Sequence, residues 1–311
     1  MDDETLTFLF ERIGNDVRDL MRCKQVCKQW KNLLDTRPWL ITNMPPLVSI
    51  TTKYTATCLA ERYMGEMCVD YHNGDIYFLC EYKLGLFSPH KNTVVPVQLD
   101  REFRFVLGLT ISHQLRILYI TLLNKNQRFY IYAIDLTKNT LTTKLIHSYE
   151  ENLGPLISLS TRSMCLEDDT HMIITTYDGC QIERLNLDNG QITYLVGSTM
   201  NSIFTRIYGV CCDPVSRDII ITSAQGIHIF SDKDRKLTTY EGPTCLGVCV
   251  DKSGNVYTCD IGNDLINVGT SNRHPILIGI KNPLNITFTD EHQHAFYVSA
   301  RNSLFILKPN V

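Results

Sequence analysis

No stretch of this sequence reaches the ~18 consecutive apolar residues that a membrane-spanning helix needs. The opening "MDDETLTFLFERIG" puts acids first, where secretory and transit segments carry positive charge, so no targeting leader is expected in it. Basic runs are absent. From residue 46 onward acids slightly outnumber bases, and the net charge of −3 gives no general attraction to nucleic acid or to an anionic membrane. Nor is there a glycine-rich phosphate loop or a serine or cysteine nucleophile motif. Tryptophan is the scarcest aromatic, two in 311 residues against 15 tyrosines and 12 phenylalanines. Both tryptophans fall in one short stretch, "VCKQWKNLLDTRPWL" (26–40).

Cysteine, by contrast, is plentiful at twelve. Cys58, Cys68, Cys80, Cys165, Cys180, Cys245, Cys249 and Cys259 sit inside apolar, strand-like runs, where a free thiol behaves as a small buried hydrophobe. With no export signal, this favours reduced thiols in a cytoplasmic or nuclear compartment. The adjacent Cys211 and Cys212 should alternate in a strand, one buried and the other facing the next blade or strand, with no redox role expected.

The chain has two textures. Residues 4–40 read as helix: Leu6, Leu9, Phe10 and Ile13 mark one face, and after the polar break "GNDVRD" the series Leu20, Cys23, Cys27, Trp30 and Leu34 marks another. Asp16 or Asp19 suits the start of the second helix and Pro38 its end. "NMPP" (43–46) is a stiff linker. The organisation expected is a helical module of about three helices over 1–42, then an all-β body over 47–311.

From Leu47 the pattern is short strands divided by turn signals such as "HNGD" (72–75), "DNG" (188–190) and "KSGN" (252–255). The segments "GEMCVDYHNGDIYFLCEYKLGLFS" (65–88), "YGVCCDPVSRDIIITSAQGIHIFS" (208–231), "LGVCVDKSGNVYTCDIGNDLINVG" (246–269) and "LNITFTDEHQHAFYVSARNSLFIL" (284–307) share a frame: strand, acidic turn, strand, strand. Segments 104–135 and 162–186 fit it too. Asp213 and Asp251 lie 38 residues apart and Asp251 and Asp290 lie 39 apart, the length of a propeller blade. Six units predict a six-bladed β-propeller. The sixth ends without a fourth strand, so the apolar run at 47–58 is expected to fill that place and close the ring.

Two resemblances follow from these residues. The β body is similar to NHL-type six-bladed propellers, best at "GNVYTCDIGNDLINV" (254–268). The helical segment resembles an F-box, through Asp19-Leu20, Val26-Cys27-Lys28-Gln29-Trp30, Leu33-Leu34-Asp35 and Pro38-Trp39. It departs from that motif at the opening, where Asp3-Glu4 replaces Leu-Pro. The F-box resemblance implies docking on a Skp-type adaptor of a cullin–RING ubiquitin ligase, through Leu6, Leu9, Phe10, Leu20, Val26, Cys27, Trp30, Pro38 and Trp39. It further implies that the propeller binds a target protein and does no covalent chemistry of its own.

Target contacts are expected on the face made by the loops entering each innermost strand and the second-to-third strand turns. Those places hold Arg62, Tyr82, Arg104, Arg162, Tyr177, Arg206, Asn263 and Arg301, together with Gln225. The arginines suit an acidic or phosphorylated segment, since a planar guanidinium binds such groups bidentately. Neither nucleic acid, membrane nor a cofactor is expected as a partner. One alternative is a metal-dependent hydrolase of the six-bladed lactonase kind, with Glu66, Asn285 and Asp260 as candidate oxygen ligands in the central channel. Another is a propeller scaffold unrelated to ubiquitin. His292 and His294, close together, read as solvated turn residues rather than a metal pair.

Overall fold

The computed structural model describes residues 54–60, 65–100, 105–124, 128–138, 141–149, 163–176, 181–196, 204, 206–270, 273–278, 280–290, 295–301 and 303–309. The helical module expected over 1–42, the linker expected at 43–46 and every adaptor contact expected from the F-box resemblance lie outside the described residues. So do Arg62, Arg104, Arg162, Tyr177, His292 and His294. Among the described residues all regular structure is β, and no helix is long and apolar enough to cross a membrane.

The strands form six four-stranded antiparallel sheets, the blades of a propeller. Strand β1 (Tyr54–Ala60) comes first. Blade 1 holds β2 (Met67–Asp70), β3 (Asp75–Cys80), β4 (Lys83–Ser88) and β5 (Thr93–Pro96); blade 2 holds β6 (Phe105–Ser112), β7 (Ile117–Leu123), β8 (Phe129–Asp135) and β9 (Thr143–Ser148). Blade 3 holds β10 (Met164–Leu166), β11 (His171–Thr176), β12 (Gln181–Asn186) and β13 (Ile192–Val196); blade 4 holds β14 (Ile207–Cys212), β15 (Ile219–Ser223), β16 (Gly226–Ser231) and β17 (Lys236–Glu241). Blade 5 holds β18 (Cys245–Val250), β19 (Val256–Asp260), β20 (Leu265–Val268) and β21 (His274–Ile278); blade 6 holds β22 (Pro283–Phe288), β23 (Phe296–Ala300) and β24 (Ser303–Pro309).

The place left open in blade 6 is taken by β1, which pairs antiparallel with β24 from Tyr54↔Pro309 to Ala60↔Leu304. Of the closing strand expected over 47–58, residues 54–58 are described and pair as expected, and 47–53 lie outside the described residues. The pairing runs on to Ala60, with an irregularity between Cys58 and Ala60.

Each blade has a neighbour on both sides, so its middle strands are buried on both faces and lose the in–out alternation of a one-sided sheet. Ile219–Ser223 and Phe296–Ala300 are buried at every position. The outermost strands recover exposure, as in β5, where only Val94 is half-buried. The acidic turns that set the repeat are structural. Asp213 accepts the Val215 and Ser216 amides, and Asp251 those of Ser253 and Asn255, the side-chain mimicry of a turn that Asp performs well. Asp70, buried, also pairs with Arg116 of blade 2 at 2.9 Å. Blade 2 itself uses Ser112 at this place, accepting the Leu115 amide.

Candidate functional site

The six innermost strands, β2, β6, β10, β14, β18 and β22, surround a central channel of about 440 Å³. Their pairing with the second strands fixes a common frame: Cys68↔Tyr77, Thr110↔Tyr119, Cys165↔Ile173, Cys211↔Ile220, Cys249↔Tyr257 and Thr287↔Tyr297 are equivalent. Counting from the entry end, the first place holds Glu66, Gly108, Ser163, Gly209, Gly247 and Asn285. The third holds four cysteines and two threonines, namely Cys68, Thr110, Cys165, Cys211, Cys249 and Thr287.

Strand alternation decides where these side chains go. Second- and fourth-place residues pack on the preceding blade, as Met67 and Val69 do on Tyr297 and Leu304. Third-place residues pack on the following one, as Cys68 does on Leu109 and Ile111. Burial pushes the thiols of Cys68, Cys211 and Cys249 well above their ordinary value.

Glu66 dominates the entry level. Its carboxyl accepts the Leu109 amide of blade 2 at 3.3 Å, and the Ser163 hydroxyl and Met164 amide of blade 3. Gly108, lacking a side chain, stands at the equivalent place in the blade it crosses. Ser163 in turn accepts the Val210 amide of blade 4 at 3.1 Å, so the pair links four consecutive blades. Enclosure by protein pushes the Glu66 carboxyl up to about 8, against the three hydrogen bonds that favour its charged form. On the other side of the entry level the blades meet more closely. A methyl on Gly247 would lie 2.5 Å from the Asn285 Cα, and one on Gly209 2.5 Å from the Leu246 carbonyl.

At the far end, Tyr71 and His113 stack with ring centroids 3.8 Å apart and planes 4° from parallel. Burial lowers the His113 pKa, with Asp70 opposing. Asp168 and Asp169 also line this end. Asp168 is engaged by the Thr170 and His171 amides, both at 2.7 Å.

Of the residues read as target contacts, Tyr82, Arg206, Asn263 and Arg301 are described. All lie at the entry end, either just before an inner strand or in a turn between second and third strands. Gln225 shares this end, its carbonyl accepting the Gly242 amide. Arg206, Asn263 and Arg301 are exposed. Tyr82 is half-buried, its ring edge-on to Phe105 at 5.1 Å and its carbonyl accepting the Val106 amide. Asn263 is tied to Asp260 through its own amide and side chain at 3.1 and 2.9 Å.

The oxygen ligands expected of a lactonase-like centre do not converge. Glu66 and Asn285 share the entry level, but Asp260 lies at the end of β19, outside the channel wall, holding the Asn263 turn. A hard divalent cation wants six or more oxygens. Here three of six first places are glycine, and the Ser163 and Glu66 oxygens already hold neighbouring blades. Among the described residues no three His, Cys, Asp or Glu side chains come together as a metal site. The residues present do not fit such a cation.

Sequence reading passed over the cysteine–threonine level and the bracing role of Ser163. The signal was there: "EMCVD", "SMCLE", "GVCCD" and "GVCVD" keep Cys at one place. Cys211 faces the next blade, as one of the two adjacent thiols was expected to, but neither is fully buried: Cys211 and Cys212 are both half-buried. Cys211 packs towards blade 5 and Cys212 towards blade 3.

No family model and no curated protein matches the chain. Solved structures do. A gluconolactonase of Xanthomonas campestris matches with TM-score 0.66 at 12% identity, covering 84% of this chain and 92% of that one. A catalytically inactive variant of the virginiamycin B lyase of Staphylococcus aureus gives 0.57 at 14%, covering 82% and 99%. A chain of a nidogen/laminin complex gives 0.55 at 12%, covering 81% and 86%. The shared feature is the propeller. At such identities the likeness is one of fold, and the neighbours range from enzymes to a protein–protein complex.

Proposed function

We propose that this chain is a recognition propeller that presents a target protein to a ubiquitin ligase, rather than a catalyst. The observation that carries the reading is the entry level of the channel. It holds a single carboxyl group, and that group is engaged in joining blades 1, 2 and 3. The entry rim bearing Tyr82, Arg206, Asn263 and Arg301 offers cations and polar groups to an acidic or phosphorylated segment. The F-box-like residues supply the other half, docking on a Skp-type adaptor, so that the target is held at high effective concentration near the charged ubiquitin donor. The route of the chain suits this arrangement. Tyr54 pairs with Pro309, at the end of the blade opposite the rim, so whatever precedes β1 joins away from the target face.

A metal-dependent hydrolase is the second reading, favoured by the gluconolactonase neighbours and by a glutamate in the channel. One experiment separates the two. The purified full chain is mixed with a Skp-type adaptor and, in parallel, assayed on aldonolactones with added Ca²⁺, Mg²⁺ or Zn²⁺. A receptor retains the adaptor, loses it on Trp30→Ala, and turns over no lactone. Metal-dependent turnover abolished by Glu66→Gln, without adaptor capture, establishes the hydrolase.

A further inference from the structure

Two thiols of the channel wall belong to different blades and touch. Cys165 lies on β10 and Cys212 on β14, with their Sγ atoms 3.4 Å apart. The contact follows from the register. Cys165 occupies a third place and faces the following blade; Cys212 occupies a fourth place and faces the preceding one. The two inner strands therefore aim these side chains at each other across one interblade gap. The fourth place is Val69, Ile111, Leu166, Val250 or Phe288 in the other five blades, and a cysteine only in blade 4. Both thiols are half-buried and both line the channel, so a molecule of water's size reaches them. Neighbouring Cys211 points the other way, into the cluster of Ile220 and Val250.

We propose that Cys165 and Cys212 are an oxidation site, closing as a reversible disulfide between blades 3 and 4 when a peroxide enters the channel. One sulfur, having given its proton to water, attacks a peroxide oxygen; the O–O bond breaks, a sulfenic acid forms and hydroxide leaves as water. The second sulfur then loses its proton and attacks the sulfenic sulfur. The S–O bond breaks, the S–S bond forms and a second water departs. Two thiols lose two electrons and one hydrogen peroxide becomes two waters. A dithiol reductant reverses the change by exchange. Closure takes the sulfurs from contact to a bond of about 2.05 Å, drawing β10 and β14 together. The hydrogen bond to Cys212, with burial, holds the Cys165 thiol well above its ordinary value. Since the thiolate is the nucleophile, oxidation is slow near neutral pH and quickens as pH rises.

The test is peptide mapping of the full-length protein after hydrogen peroxide at pH 7 and pH 9, followed by alkylation. The expected product is a Cys165–Cys212 crosslink, formed faster at pH 9, removed by dithiothreitol and retained in Cys211→Ser. A Cys211–Cys212 link, a Cys212 sulfinic acid beside an alkylated Cys165, or full alkylation of both thiols overturns the proposal. As a second reading on wild-type protein alone, the oxidised form melts at higher temperature than the reduced form, and a melting temperature unmoved by peroxide overturns closure across the interblade gap.

Discussion

Glu66 is a carboxyl that the fold holds in its neutral range. Three hydrogen-bond donors from two other blades surround it, and enclosure still raises its pKa to about 8, from an ordinary 4.5. With the folded value above the unfolded one, the associated stability is complete below about 4.5 and lost as pH rises towards 8. Wild-type protein should therefore lose melting temperature between pH 5 and 8, by an amount equivalent to a few kcal/mol at most. Glu66→Gln keeps an acceptor but cannot ionise, so its melting temperature should be flatter over that window. Parallel curves in thermal denaturation would remove the assignment. This residue was legible only as a candidate oxygen ligand of the central channel, beside Asn285 and Asp260. Its partners were not, because Leu109, Ser163 and Met164 meet it only once three blades are stacked.

At the scale of elements, the strands and turns were readable because each blade repeats the same local chemistry. Asp213, Asp251 and their turn residues announce a reversal whatever the neighbours do. Levels of the channel are harder to see. In isolation the third-place cysteines look like core, and they do pack on the next blade; only the closed ring places them around one cavity. The glycines of inner strands are similarly ambiguous until the spacing is known. Gly247 is there for approach, since a Cβ would meet the Asn285 Cα at 2.5 Å. Gly247→Ala should force β18 and β22 apart and cost roughly 1–3 kcal/mol, a fall in melting temperature of about 3–10 °C. Gly262→Ala is the control, its nearest new contact being Asp260 Oδ1 at an ordinary 3.6 Å. Equal melting temperatures for the two variants would refute the argument from spacing.

For the whole molecule, the decisive pairing joins the two ends of the described chain. β1 stands in blade 6 where β5 stands in blade 1, so the step from β1 to β2 has the same course as every other passage between blades. The Ser299 hydroxyl donates to the Gly65 carbonyl at 2.9 Å across that seam. Local sequence does not encode such a contact; what it allowed was the closure itself, inferred from a strand without partners at one end and a blade short of a strand at the other. Remove β1 and the amides and carbonyls of β24 become an open edge, which invites pairing with other chains. A chain beginning at residue 61 should melt at least about 5 °C below one beginning at residue 46, equivalent to roughly 2 kcal/mol, and should associate on standing. A synthetic peptide of residues 46–60 should restore both melting temperature and monomeric behaviour by adding itself as the missing strand. If the shorter chain melts like the longer one, the ring does not depend on its closing strand.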